Sequence, residues 1–179
     1  MKTKNIALLA LVAGLGAPVQ VWAAAGPFDE LKLGLVAHDV PIGAHREEKG
    51  VDFNGEVLFV SPDFLSVIWA PRPHVGVSIN SSGGNSYGYF GLTWTANFLN
   101  AFFADLGLGG AVHTGPNFSS NPDHKGLGTR ALFHESVELG YRITSSENVA
   151  LYLDHISNAN TGRRNPGITN LGVRVGFAF

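Results

Sequence analysis

In segment after segment from residue 31 to the C-terminus, apolar residues recur at every second position, a rhythm that suits strands and not helices. Leu31, Leu33, Leu35 and Ala37 share one parity, while Glu30, Lys32, Gly34 and His38 take the other. Successive side chains of a β-strand point to opposite faces, so this segment has one apolar and one polar face. The same alternation runs through residues 51–59, 74–80, 89–94, 102–113, 133–143, 149–157 and 170–179. With 23 glycines and turn residues between the segments, the chain reads as all-β. It has about eight strands, the number in the smallest common outer-membrane barrel.

Alternation alone does not say which face is inside. A soluble lipocalin-like barrel would line its cavity with the apolar face, whereas an outer-membrane barrel would turn that face to lipid. Two features favour lipid. The polar face mixes glycine and small residues with charges of both signs, which suits a crowded lumen, and the chain ends on a strand whose last residue is Phe179. The expected fold is an eight-stranded antiparallel outer-membrane β-barrel. Connections at about 39–50, 114–127 and 158–168 are long and polar; those near 95–97 and 144–148 are short. With both termini taken as periplasmic, this is the barrel rule of long loops outside and short turns on the periplasmic side. Residues 61–71, with Phe64, Leu65, Val67, Ile68 and Trp69, break that rule as a long periplasmic connection that either extends strands or lies at the interface.

Lys2 and Lys4 precede an apolar run and then small residues, the pattern of a secretory signal peptide over residues 1–23. Cleavage is expected before Ala24 or Gly26, leaving a single domain over 24–179. The sequence has no cysteine, so no disulfide contributes to stability. Twelve Lys and Arg against 14 Asp and Glu form no basic surface that suggests nucleic acid.

The seventh segment carries the candidate chemistry. Val149, Leu151, Leu153, His155 and Ser157 share a parity, so the histidine and serine point outward at the end of a strand rising from a short turn. Residues two apart on a strand have Cα atoms about 6.8 Å apart on one face, within reach for an imidazole and a hydroxyl. Serine becomes a useful nucleophile when such a base removes its proton. Interfacial polarity at a strand end is the alternative explanation. If Ile143 pairs with Val149, Glu135 falls opposite Ser157, also outward, and becomes a candidate acid. The loop after Ser157 contains Asn158, Asn160, Asn165 and Gly167, residue types that serve both as oxyanion donors and as turn formers.

The stretch HISNANTGRRNPG resembles the His-x-Ser-Asn signature of the outer-membrane lipid A 3-O-deacylases, the PagL family. RPHVGVSIN, YFGLTW, FHESVELGYR and the terminal strand extend the resemblance over most of the mature chain. It implies hydrolysis of the 3-linked acyl ester of lipid A, with His155 as base, Ser157 as nucleophile, and Asn158 and Asn165 at the oxyanion. It implies no metal and no cofactor. One departure matters: the family's acid position is occupied by Thr169, so either Glu135 replaces it, the site works as a dyad, or activity is slow or lost. Loss of the orienting carboxylate in a serine hydrolase can lower kcat by about 10⁴.

His38, His74, His113 and His134 have the inward parity and are expected to join Glu30, Lys32, Asp52, Glu56, Asp105, Glu138, Arg142, Asp154 and Arg174 in a paired lumen network. His45 and His124 fall in outer loops. Arg46, Lys49, Lys125, Arg163 and Arg164 are either contacts for lipid A phosphates or solvated loop charges. The expected protein is an integral outer-membrane hydrolase whose partner is lipid A, or lipopolysaccharide. A structural or adhesive barrel without activity is the alternative, and homodimer assembly is left open.

Overall fold

The computed structural model describes residues 26–42 and 47–179; the expected signal peptide and its cleavage point, with His45 and Arg46, lie outside the described residues. Eight strands form one closed antiparallel barrel in sequence order: β1 (Phe28–Ala37), β2 (Val51–Phe59), β3 (Arg72–Asn80), β4 (Tyr87–Phe98), β5 (Phe102–His113), β6 (Ala131–Arg142), β7 (Glu147–Ser157) and β8 (Ile168–Ala178). β8 returns to β1, pairing Leu33 with Val175, so no sheet edge is left open to lipid.

The faces sort by parity. Leu33, Phe53, Val77, Phe90, Leu108, Leu139 and Leu151 are exposed on the outer wall, while Lys32, Asp52, Glu56, His74, His134 and Arg174 are buried in the lumen. Charges can be buried there because they are paired. Lys32 Nζ lies 2.6 Å from Asp105 and 2.7 Å from Glu138. Arg174 lies 2.6 Å from Glu56 and 3.2 Å from Glu138. Gly76 makes room for the Tyr89 ring, which a β-carbon there would overlap.

Towards the end that carries the long connections, the lumen is plugged by an apolar cluster set among buried polar side chains such as His38, Glu48 and Asn85. Tyr87, Tyr89, Ala111, Leu127, Leu132, Ile156 and Ile168 form a buried cluster. Leu127 belongs to the loop between β5 and β6, so that loop folds inward as part of the plug.

Two local expectations change, and one open alternative is resolved. The short turn after β4 lies at 99–101 rather than 95–97, because Asn97 and Phe98 still pair with Phe103 and Phe102. Leu99 and Asn100 then reverse the chain with positive φ. Across the next turn, Tyr141 rather than Ile143 pairs with Val149. The Thr144 hydroxyl accepts the N–H groups of Ser146 and Glu147, and Ile143 N–H donates to Glu147, tightening the turn by one pair. Of the two alternatives for residues 61–71, strand extension is excluded: residues 63–68 form a short 3-10 helix between β2 and β3.

Candidate active site

β7 and β8 present the site through one alternation. Ile156 and Ile168 are paired, wholly buried and seated in the apolar plug, which fixes the two strands from inside. Their neighbours in sequence therefore face outward: His155 and Ser157 on β7, Thr169 on β8. His155 pairs with Thr169 on one side and with Glu135 of β6 on the other. The corrected turn thus moves Glu135 from opposite Ser157, as the sequence suggested, to opposite His155. Phe133 takes the place across from Ser157.

The imidazole has a defined partner. His155 Nδ1 and Thr169 Oγ1 are 2.8 Å apart, and Thr169 is itself buried. Its backbone carbonyl accepts the N–H of Val40, so the first long connection braces the same residue. The other edge of the ring faces Gly167, where a β-carbon would lie 2.7 Å from Cε1 and 3.1 Å from Nε2. Gly167 also has φ of 60°, a left-handed conformation that glycine adopts without penalty. The loop can therefore approach the histidine closely only because this residue has no side chain. Ser157 retains 9% of its surface, and no hydrogen bond joins its hydroxyl to His155 among the described residues.

The two asparagines occupy different places. Asn158 is buried, and its N–H groups are all engaged: Nδ2 donates to Leu127 O at 2.9 Å and Arg164 O at 2.6 Å, while the backbone N–H donates to Asn165 Oδ1 at 2.9 Å. Asn158 is thus a tie between two outer loops. Asn165 is the reverse case. Because its oxygen must be the acceptor, its Nδ2 is directed elsewhere, and that group donates to no partner among the described residues.

Of the loop cations, Lys49, Arg163 and Arg164 are exposed. Lys125 is not: it is buried, with Nζ 2.5 Å from Asp39, because its loop folds into the plug. It is therefore no surface contact for a phosphate. What sequence reasoning missed was the bond made by Thr169, since a missing carboxylate drew attention to charge and away from the hydroxyl in its place.

A family model described as lipid A 3-O-deacylase (PagL) matches residues 66–178, a span from the β2–β3 connection to the last strand that contains every candidate site residue. The chain belongs to the PagL family. Among solved structures it is similar to the outer membrane enzyme PagL, with TM-score 0.65 and 16% identity over 84% of this chain and 99% of that one. It is also similar to the N-terminal β-barrel domain of Pseudomonas aeruginosa OprF, with TM-score 0.54 and 10% identity over 86% of this chain and 100% of that domain. At such identities these likenesses show the fold. No curated protein matches in sequence. As a PagL-family barrel the chain is an integral protein of the outer membrane, which it crosses with strands.

Proposed function

We propose that this PagL-family chain is a serine esterase that hydrolyses the 3-linked fatty acyl ester of lipid A, the substrate standing in the outer leaflet against the β6–β7–β8 wall. The observation that carries the proposal is the partnered imidazole: His155 is held at Nδ1 by Thr169, two residues from Ser157 on the same lipid-facing stripe. A histidine that was only interfacial polarity would need no buried hydroxyl at that distance.

With Nδ1–H donating to Thr169, the ring's lone pair is on Nε2. Nε2 takes the Ser157 proton as Oγ attacks the ester carbonyl, and the developing oxyanion is held by Asn165 Nδ2. The imidazolium returns its proton to the departing sugar oxygen, leaving an acyl-serine. Water, deprotonated by the same histidine, then releases the fatty acid and restores the serine. Asn158 acts by orienting Asn165, and Glu135, across from His155, is the nearest acidic residue in register to stabilise the imidazolium. The Oγ–Nε2 hydrogen bond forms in the substrate complex, as catalytic hydrogen bonds often tighten there. Every assigned residue comes from one chain, so the mechanism requires no second copy.

Purified protein refolded in detergent or liposomes and incubated with lipid A should release one 3-linked acyl chain, read as the corresponding mass loss. Ser157→Ala should abolish release; release retained in that variant removes serine from the mechanism.

A further inference from the structure

The 3-10 helix Asp63–Ile68 has no buried residue, yet it is among the most apolar stretches of the chain. Phe64, Val67 and Trp69 are 73%, 85% and 87% exposed. A periplasmic connection projecting into water would not be expected to carry such side chains. Its position explains them. Trp94 belongs to the outward parity of β4, pairing with the exposed Leu106 of β5, and its indole Nε1 donates to Ile68 O at 2.8 Å. The end of the helix is therefore fastened to the lipid-facing wall and not hung beneath the lumen. Trp69 and Ala70 follow in the left-handed region, with φ of 66° and 48°, and turn the chain back into β3. Aromatic side chains mark the same end of the barrel, where Phe28 packs tilted against Phe59 and Phe102 contacts Phe98 and Tyr141. Aromatic side chains concentrate at membrane interfaces, and short apolar helices lie in them.

We propose that residues 63–70 are an interfacial foot, pinned by Trp94, that embeds Phe64, Val67 and Trp69 in the phospholipid of the periplasmic leaflet. The foot extends the barrel's membrane contact sideways on one flank and so sets the height and tilt at which the opposite end meets the outer leaflet. It does not depend on the catalytic proposal.

The absence of cysteine makes the test direct. Val67→Cys in the full mature barrel, labelled with a nitroxide and reconstituted in phospholipid liposomes, reports collisions with oxygen, which partitions into lipid, and with a nickel chelate on both sides of the bilayer, which does not. Ser145→Cys in the β6–β7 turn is the aqueous reference. The foot requires high oxygen and several-fold lower nickel accessibility at 67 than at 145. Nickel accessibility equal to that at 145 overturns it, since the helix would then stand in water. Low accessibility to both reagents also overturns it, because the face would then be covered by protein, such as a second copy. Trp94→Phe should raise nickel accessibility at 67; no change overturns the pin.

Discussion

Thr169 stands where His155 needs an acceptor: the two residues are opposite one another in the β7–β8 ladder, with Oγ1 2.8 Å from Nδ1. A neutral hydrogen bond contributes about 1 kcal/mol net, so Thr169→Val should lower kcat about fivefold with KM little changed. Thr169→Ser should restore the rate, which a purely packing role for the threonine would not predict. Thr169→Glu, supplying a charged acceptor to the imidazolium, should raise kcat above that of the parent. Steady-state kinetics on lipid A decide all three, and a Thr169→Val enzyme with unchanged kcat would remove the hydroxyl from the mechanism.

Glu135 is the partner of His155 in the other ladder, between β6 and β7. Acting through charge without contact, it should be worth about 1.4 kcal/mol, so Glu135→Gln should lower kcat about tenfold. Combining it with Thr169→Val tests whether both residues serve the imidazolium jointly. A double variant much slower than the product of the single effects would mean that each partly covers for the other.

Parity made the barrel and the outward direction of His155 and Ser157 readable in the sequence, because lipid on one side and a charged lumen on the other leave a strand few choices. Register was less legible. A shift of two residues preserves every face, so alternation could not distinguish Glu135 opposite Ser157 from Glu135 opposite His155; the Thr144 hydroxyl in the turn decided it. Loop contacts were least legible. Lys125 reads as a surface cation until Leu127 beside it is found in the core, and Asn158 and Asn165 look equivalent until the direction of the hydrogen bond between them is known.

That direction predicts different losses at the two asparagines. Asn165→Ala removes the free donor together with the acceptor of the Asn158 N–H, so it should lower kcat by about 10²–10³ with a smaller loss of loop stability than Asn158→Ala, which breaks three hydrogen bonds and not one. Asn158→Ala frees the carbonyls of Leu127 and Arg164, each costing about 1–3 kcal/mol if left buried without a partner. It should therefore lose activity and also make the outer loops susceptible to limited proteolysis. Equal protease resistance of the two variants would refute Asn158's role as the loop tie.

At Gly167, alanine would incur a left-handed backbone cost of about 1 kcal/mol and press its methyl against the His155 ring. Gly167→Ala should thus lower the unfolding midpoint by only a few degrees, as about 1 kcal/mol implies, and reduce kcat at least about tenfold, on the same reasoning that one displaced catalytic group costs about 1.4 kcal/mol or more. Wild-type kcat in this variant would mean that the close approach to the imidazole has no catalytic consequence.

The outer end should also respond to pH through His38. Its Nδ1 lies 2.9 Å from Asp52 and its Nε2 2.9 Å from Glu48, so both ring nitrogens face carboxylates. Glu48 further accepts the N–H groups of Asn85 and Lys125, joining three outer connections through one side chain. Burial favours the neutral ring, but the hydrogen bonds and charges of Asp52 and Glu48 prevail and raise the His38 pKa from 6.5 to about 9. A raised pKa in the folded state stabilises fully below the unfolded value of 6.5, and that stabilisation is lost as pH rises through 9. The shift corresponds to about 3 kcal/mol. Glu48 acts in the opposite sense. Burial raises its pKa, but the His38 hydrogen bond and the N–H groups of Asn85 and Lys125 bring it below 4.5, so its contribution is lost as acidity increases. Thermal unfolding followed by circular dichroism in detergent should show the midpoint falling between pH 6.5 and 9 in the parent and falling less in His38→Gln. Parallel curves for the two proteins would show that this histidine carries no proton-linked stability.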